Sequence, residues 1–144
     1  MGPAVVEGIT VTSPKRIPVP GGDVLHVMKK RDNGYVGFGE AYFSFIEPGV
    51  VKAWKRHLQM TLNLVVPIGD VRFVFIDESG AIREEEIGES RYVRLTVPPR
   101  IWFGFQAISA RQALLLNIAD IEHVPDEIER RELSEMNYSW EGCS

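Results

Sequence analysis

Lys52-Ala53-Trp54-Lys55-Arg56-His57 is the stretch on which the fold turns. It begins three residues after Gly49, and a second extended run over 60–66 and a turn at Pro67-Ile68-Gly69 follow it. This is the pattern of one strand of a small β-barrel. Side chains alternate across a strand, so Lys55 and His57 point to one face with Val51 and Ala53, while Lys52, Trp54 and Arg56 point to the other. Two basic groups beside small apolar neighbours would furnish a barrel lumen for proton chemistry. On the outside they would be a solvated basic edge, and the rest of the chain has to decide.

Outward from this strand, short apolar runs alternate with turn signals. Strands are predicted over 24–29, 39–46, 50–57, 60–66, 71–76, 92–97, 101–107 and 113–119. Val71, Phe73 and Phe75 oppose Arg72 and Val74, and Val93, Leu95 and Val97 oppose Tyr92, Arg94 and Thr96, as in half-buried strands. The breaks carry turn residues, among them Pro18-Val19-Pro20-Gly21-Gly22, Asp32-Asn33-Gly34, Glu47-Pro48-Gly49, Glu78-Ser79-Gly80 and Pro98-Pro99. Many short strands at even spacing suggest a sandwich or jelly roll. One helix is predicted over 125–133, which opens on Pro125 and acids and carries its bases late. The charged run 81–89 reads as a loop or one exposed turn.

The chain has 144 residues, 44% hydrophobic and 25% charged, which fits one globular domain over 1–144. No apolar run is long enough to span a bilayer, and the start lacks a basic-then-apolar signal pattern. Cys143 is the single cysteine, so no internal disulfide forms and a reducing cytoplasm is the expected location. A net charge of −4 without a basic stripe argues against nucleic acid as a partner.

Gly49, five residues, and then Lys55-Arg56-His57, with Gly69 downstream, resembles the first cupin motif. In metal-binding cupins the two motifs supply four ligands. Here the first histidine position holds Lys55, the glutamate region reads Thr61-Leu62, and the second motif's histidine falls near Phe103. Lysine is protonated at neutral pH and ligates poorly, and metal sites need about three protein ligands, so neither metal nor other cofactor is expected.

The resemblance is more specific still. Gly39-Glu40-Ala41-Tyr42-Phe43-Ser44, Gly49-Val50-Val51-Lys52-Ala53-Trp54, the block over 70–77, the block over 97–105, Asp120 and the closing Tyr138-Ser139-Trp140 resemble the dTDP-4-dehydrorhamnose 3,5-epimerase family, in order, over 32–140. The resemblance implies a dimeric jelly-roll cupin that takes protons from carbons flanking the 4-keto group of a nucleotide-linked sugar. The family's arginine-glycine pair is Lys52-Ala53 here, and its catalytic histidine is Lys55. Its catalytic tyrosine, four residues before Asp120, is Leu116, and its histidine before the Gly-Phe pair is Phe103. The fold carries over, while the acid/base set does not carry over residue by residue.

Epimerisation beside a ketone needs a base, an acid for the opposite face, and a group that holds the enolate oxygen. Lys55 can serve as base if burial lowers its pKa, or as the enolate's cation if it stays charged. His57 titrates near neutral pH unaided. Tyr42, Tyr92 and Asp120 are the polar options for the third role. Lys52, at the family's arginine position, is a candidate pyrophosphate contact. Trp54 and Trp102 either pack in a core or dimer interface or stack on a base or sugar. Asn63, among apolar neighbours, needs a hydrogen-bond partner if buried and is a lumen candidate. Glu40, Tyr42 and Asp120 complete the substrate-binding set. His26 and His123 read as surface or capping residues.

The sequence therefore predicts an all-β cupin jelly roll with a short C-terminal helix. It is expected to be a cytoplasmic homodimer of deoxysugar and cell-surface polysaccharide biosynthesis, binding a nucleotide sugar and no membrane. Lys55 and His57 are the catalytic candidates. The chemistry is 3- or 5-epimerisation of a 4-keto-6-deoxy sugar; the alternatives are a 3,4-ketoisomerase of the same fold, or a sugar-nucleotide-binding cupin that has lost catalysis.

Overall fold

The alternating runs fold into strands and almost nothing else. The computed structural model describes Val6 and residues 8–140; Cys143 lies outside the described residues. Among these are β1 (Thr10–Thr12), β2 (Arg16–Ile17), β3 (Val24–Leu25), β4 (Glu40–Ile46), β5 (Val51–His57), β6 (Leu62–Ile68), β7 (Asp70–Ile76), β8 (Ile82–Gly88), β9 (Arg94–Val97), β10 (Trp102–Ala107), β11 (Ala113–Ala119) and β12 (Ile128–Arg130). Two five-stranded sheets run in the orders β1-β9-β6-β11-β4 and β12-β5-β10-β7-β8, and β2 and β3 form a separate hairpin. This is the jelly roll expected from the sequence.

Period-two alternation sorts the side chains. Leu62, Leu64 and Val66 of β6, Leu95 and Val97 of β9, Val71, Phe73 and Phe75 of β7 and Phe103 of β10 form one buried cluster between the sheets. Arg94 and Thr96 turn to the other face of the first sheet. Arg94 is 1% exposed there, and it donates to Asn63 Oδ1 at 3.1 Å, to the Val27 carbonyl at 2.8 Å and to the Asn33 carbonyl. Asn63 also accepts from the Thr96 hydroxyl at 2.6 Å and donates to the Gly34 carbonyl at 3.0 Å. A desolvated guanidinium is tolerated because these acceptors satisfy it, and they fasten the loop between β3 and β4 to the sheet.

The C-terminal helix expected over 125–133 does not form. A 3₁₀ turn, Pro125–Glu127, leads into β12, and a second one, Leu133–Glu135, follows. The reason is the edge of β5. Ile128, Glu129 and Arg130 pair with His57, Arg56 and Lys55, and Trp54 and Arg131 exchange both backbone hydrogen bonds at 3.1 Å. So short a helix is marginal in isolation, whereas edge pairing satisfies backbone groups on two strands at once. Beyond it, Met136, Tyr138 and Trp140 pack with Trp54, Val74, Ile76 and Trp102 in a second cluster outside the second sheet.

The charged run 81–89, read as a loop, is instead the edge strand β8, paired with β7 from end to end. Ile87 joins the core, Arg83 donates to the Ile9 carbonyl at 3.1 Å and pairs with Glu85 at 2.9 Å. Glu86 holds Arg72 from the opposite face at 3.1 Å. Charges on an edge strand discourage further strand addition.

Candidate active site

The lumen is furnished by a slip in register. Lys55 of β5 pairs with Phe103 of β10, but Lys52 pairs with Phe105, so the residues between are out of step. This is a β-bulge, and it lets two residues of one parity difference share a face. Gly104 makes room for it, since a Cβ there would stand 2.4 Å from Ala53 Cβ. Phe103 and Phe105 both pack on the core between the sheets. Strict alternation puts Lys52 with Trp54 and Arg56 on the outer face; the bulge brings it to the lumen beside Lys55. Trp54 keeps the outer side within the second cluster, and Arg56 lies 4.9 Å from the Trp102 ring.

Between the sheets lies a cavity of about 560 Å³ whose lining includes Tyr42, Ser44, Lys52, Lys55, Phe103, Asn117, Arg130 and Arg131. A second, of about 420 Å³, shares Tyr42, Lys55 and Arg130 with it and adds Glu40, His57 and His123. Lys55 and His57 thus face the same space, as their spacing predicts. Phe103 lies beside both: its ring stacks 6.1 Å from the His57 ring and 5.8 Å from Lys55 Nζ.

His57 is held by a residue the sequence reading missed. Its Nδ1 meets Glu127 Oε1 at 2.5 Å, with both side chains buried. Glu127 Oε2 accepts three backbone N–H groups, from Leu58, Gln59 and Met60, each at 3.2 Å. Burial raises a carboxyl pKa, but these donors outweigh it and hold Glu127 below its ordinary value, as a carboxylate. Burial pushes His57 down, against the pull of Glu127, and Lys55 pushes the same way. The pair is therefore a carboxylate and a neutral imidazole whose Nδ1–H donates to it. Nε2 is left with a lone pair, buried and without a hydrogen-bond partner among the described residues. That is the protonation state a general base requires.

Burial and the nearby Arg130 and Lys52 charges lower the Lys55 pKa, and Glu127 opposes them. Burial and Glu40 raise that of Tyr42, keeping its phenol protonated, and the phenol accepts a hydrogen bond from Asn117 Nδ2 at 3.0 Å. The family's tyrosine position, Leu116, faces outward in β11, where alternate residues 113, 115, 117 and 119 are the buried ones. Asn117 is the inward residue, and the phenol in this lumen comes from Tyr42 on the neighbouring strand, its direct register partner.

Of the remaining sequence candidates, Glu40 and Lys52 line the cavities. Asn63 does not: it is locked under Arg94 and Thr96 on the far face of β6. Asp120 ties two strands, accepting from the Thr61 backbone N–H at 2.7 Å. Trp102 faces away from Phe103, sandwiched between Arg56 and Arg131 at 4.9 and 4.5 Å. Asn117 was accessible to the reasoning that singled out Asn63, a polar residue in an apolar strand. Glu127 and Arg130 carried no such signal, because a strand after a 3₁₀ turn looks like a short acidic helix.

Fold and lumen together define a jelly-roll cupin with a titratable interior. No family model matches the chain. A solved dTDP sugar isomerase from Desulfovibrio desulfuricans G20 is 36% identical, with a TM-score of 0.91 over 96% of this chain and 94% of that one. A curated relative from Haloferax volcanii, a probable low-salt glycan biosynthesis epimerase, is 33% identical over 84 residues; the match spans about half of each protein, 54% of either chain. The dTDP-4-dehydrorhamnose 3,5-epimerase of Sulfolobus tokodaii, at 22% identity and a TM-score of 0.82 over 96% of this chain and 85% of that one, shares the fold. The chain belongs to the family of that dTDP sugar isomerase and shares its fold with the 3,5-epimerase.

Proposed function

We propose that the protein is an isomerase of nucleotide-linked 4-keto-6-deoxy sugars, epimerising a carbon beside the ketone by proton abstraction and return. The observation that carries this reading is the His57–Glu127 pair, which leaves Nε2 of a neutral imidazole free on the lumen face. The hydrogens flanking a ketone are acidic enough for such a base once positive charge stands near the developing enolate. Lys55, on the same face, supplies that charge at nitrogen. Tyr42 of β4, kept protonated and lining the same cavity, returns the proton. Lys52, Arg130 and Arg131 line the larger cavity and suit a pyrophosphate.

The relatives' names support a dTDP-linked substrate and a role in glycan biosynthesis, and the single cysteine supports a cytoplasmic site of action. Val36, Phe38, Phe43 and Phe45 are each more than 60% exposed and support a homodimer through the outer side of the first sheet. The test is incubation with dTDP-4-keto-6-deoxyglucose in deuterated water. Deuterium should enter at C3 or C5, and His57→Asn should slow its entry at least ~10²-fold. A product with its ketone at C3 would make the protein a 3,4-ketoisomerase using the same enediol. No deuterium uptake would leave a binding protein and sink the enzymatic reading.

A further inference from the structure

Lys55 stands out among the lysines. Its neighbours on the lumen face are the Phe103 ring at 5.8 Å and, through the β5–β12 register, Arg130 directly opposite. No hydrogen bond or ion pair satisfies Nζ among the described residues, although Glu127 acts on it at longer range. By contrast Lys15, Lys29 and Lys30 are exposed, and Lys52 donates to the Phe45 carbonyl at 3.2 Å. Lys55 is also shared by both cavities. Glu40, Glu132 and Glu135 line the same cavities, but none pairs with Lys55. An amine beside an aromatic ring and other cations, with no carboxylate in contact, is the setting that turns lysine into a nucleophile toward carbonyls.

We propose that Lys55 is a Schiff-base-forming amine, and that in the reaction proposed above its target is the C4 ketone of the sugar; this second clause rests on that functional reading. The free amine attacks C4, forming a C–N bond while the carbonyl π pair moves to oxygen, which takes up a proton. The carbinolamine loses one water to give a protonated imine. The cationic nitrogen accepts the electrons of the adjacent C–H bond as His57 Nε2 removes its proton, giving an enamine. A proton returns to carbon, and one water hydrolyses the imine to restore the ketone and the amine. Nothing is oxidised or reduced, and the water released equals the water consumed. The lowered pKa of Lys55 is consistent with the free amine that the first step needs.

Two probes test this. Acetylacetone, which needs no nucleotide site, condenses with free amines to a stable ultraviolet-absorbing enaminone. Peptide mapping of the parent protein near neutral pH should find Lys55 modified about tenfold faster than Lys15, Lys29 and Lys30. Labelling confined to exposed lysines, with Lys55 no faster, would overturn the proposal. With dTDP-4-keto-6-deoxyglucose in ¹⁸O-labelled water, the C4 oxygen should exchange above the protein-free rate and in step with deuterium uptake. Lys55→Arg, which keeps the charge but forms no imine, should abolish the oxygen exchange. Deuterium uptake without ¹⁸O exchange would refute the covalent step while leaving the isomerase reading intact. Rapid acetylacetone labelling of Lys55 with no deuterium uptake would uphold the nucleophile and remove the sugar from its substrates.

Discussion

Replacing Glu127 separates what the C-terminal strap does for stability from what it does for chemistry. In Glu127→Ala, the Gln59 and Met60 N–H groups and His57 Nδ1 lose their acceptor at once, while Leu58 N–H keeps the main-chain carbonyl of residue 127 at 2.8 Å. An unpaired buried donor costs about 1–3 kcal/mol, and breaking a buried charged network about 3–5 kcal/mol, so a loss of about 3–5 kcal/mol is expected after local relaxation. Glu127→Gln keeps one carbonyl oxygen for the backbone and should cost only about 1–2 kcal/mol. Its amide then faces Nδ1 with an N–H donor, which makes Nδ1 the acceptor and moves the imidazole proton to Nε2. The base loses its lone pair, and deuterium uptake should fall at least ~10²-fold although the protein stays folded. Urea unfolding and deuterium wash-in on both variants are the assays. A Glu127→Gln protein that exchanges at the parental rate would refute the role given to the pair. The sign with pH follows from both groups. Glu127 has a lowered pKa, so its stabilisation is present above the ordinary carboxylate range and is lost as pH falls through the lowered value. His57 is also lowered, so the unfolded chain takes up its proton first, from about pH 6.5 downward, and stability falls in the same direction. Parent stability should therefore decline on acidification below about pH 6.5; Glu127→Gln should lose the carboxylate part of that decline but keep the His57 part, because the pull that raised the imidazole pKa is gone.

Two further outcomes are expected. Calorimetry with dTDP should show Lys52→Ala weakening binding roughly fivefold, about 1 kcal/mol for an exposed ion pair, with the difference shrinking at high salt; a salt-independent loss would remove Lys52 from the pyrophosphate. Arg94→Met should destabilise by about 3–5 kcal/mol and speed hydrogen exchange in residues 27–34, whose carbonyls the guanidinium holds, while deuterium uptake by the sugar per folded molecule stays near the parental rate. Unchanged exchange in that loop would show that Arg94 does not fasten it.

The all-β class, the inner faces of β7 and β9, and the shared face of Lys55 and His57 were legible in the sequence. These follow from alternation between neighbours, a local property that survives any tertiary arrangement. It also carried the family resemblance across most of the chain. The rest was set by contacts between strands far apart in the chain. A bulge between Lys52 and Lys55 changes no local propensity, yet it inverts the face of Lys52, because the register is set by β10 and by the space at Gly104. The segment after Pro125 has the composition of a short helix and becomes strand because the β5 edge offers it backbone partners. Asn63 and Asn117 look alike in sequence, polar residues within apolar runs, and lie on opposite faces of the first sheet because their strands present opposite parity to the core. The pairing that defines the site, His57 with Glu127, spans 70 residues of chain. No periodicity connects them; the fold does, by laying the segment after Pro125 along β5, the strand that carries Lys55 and His57.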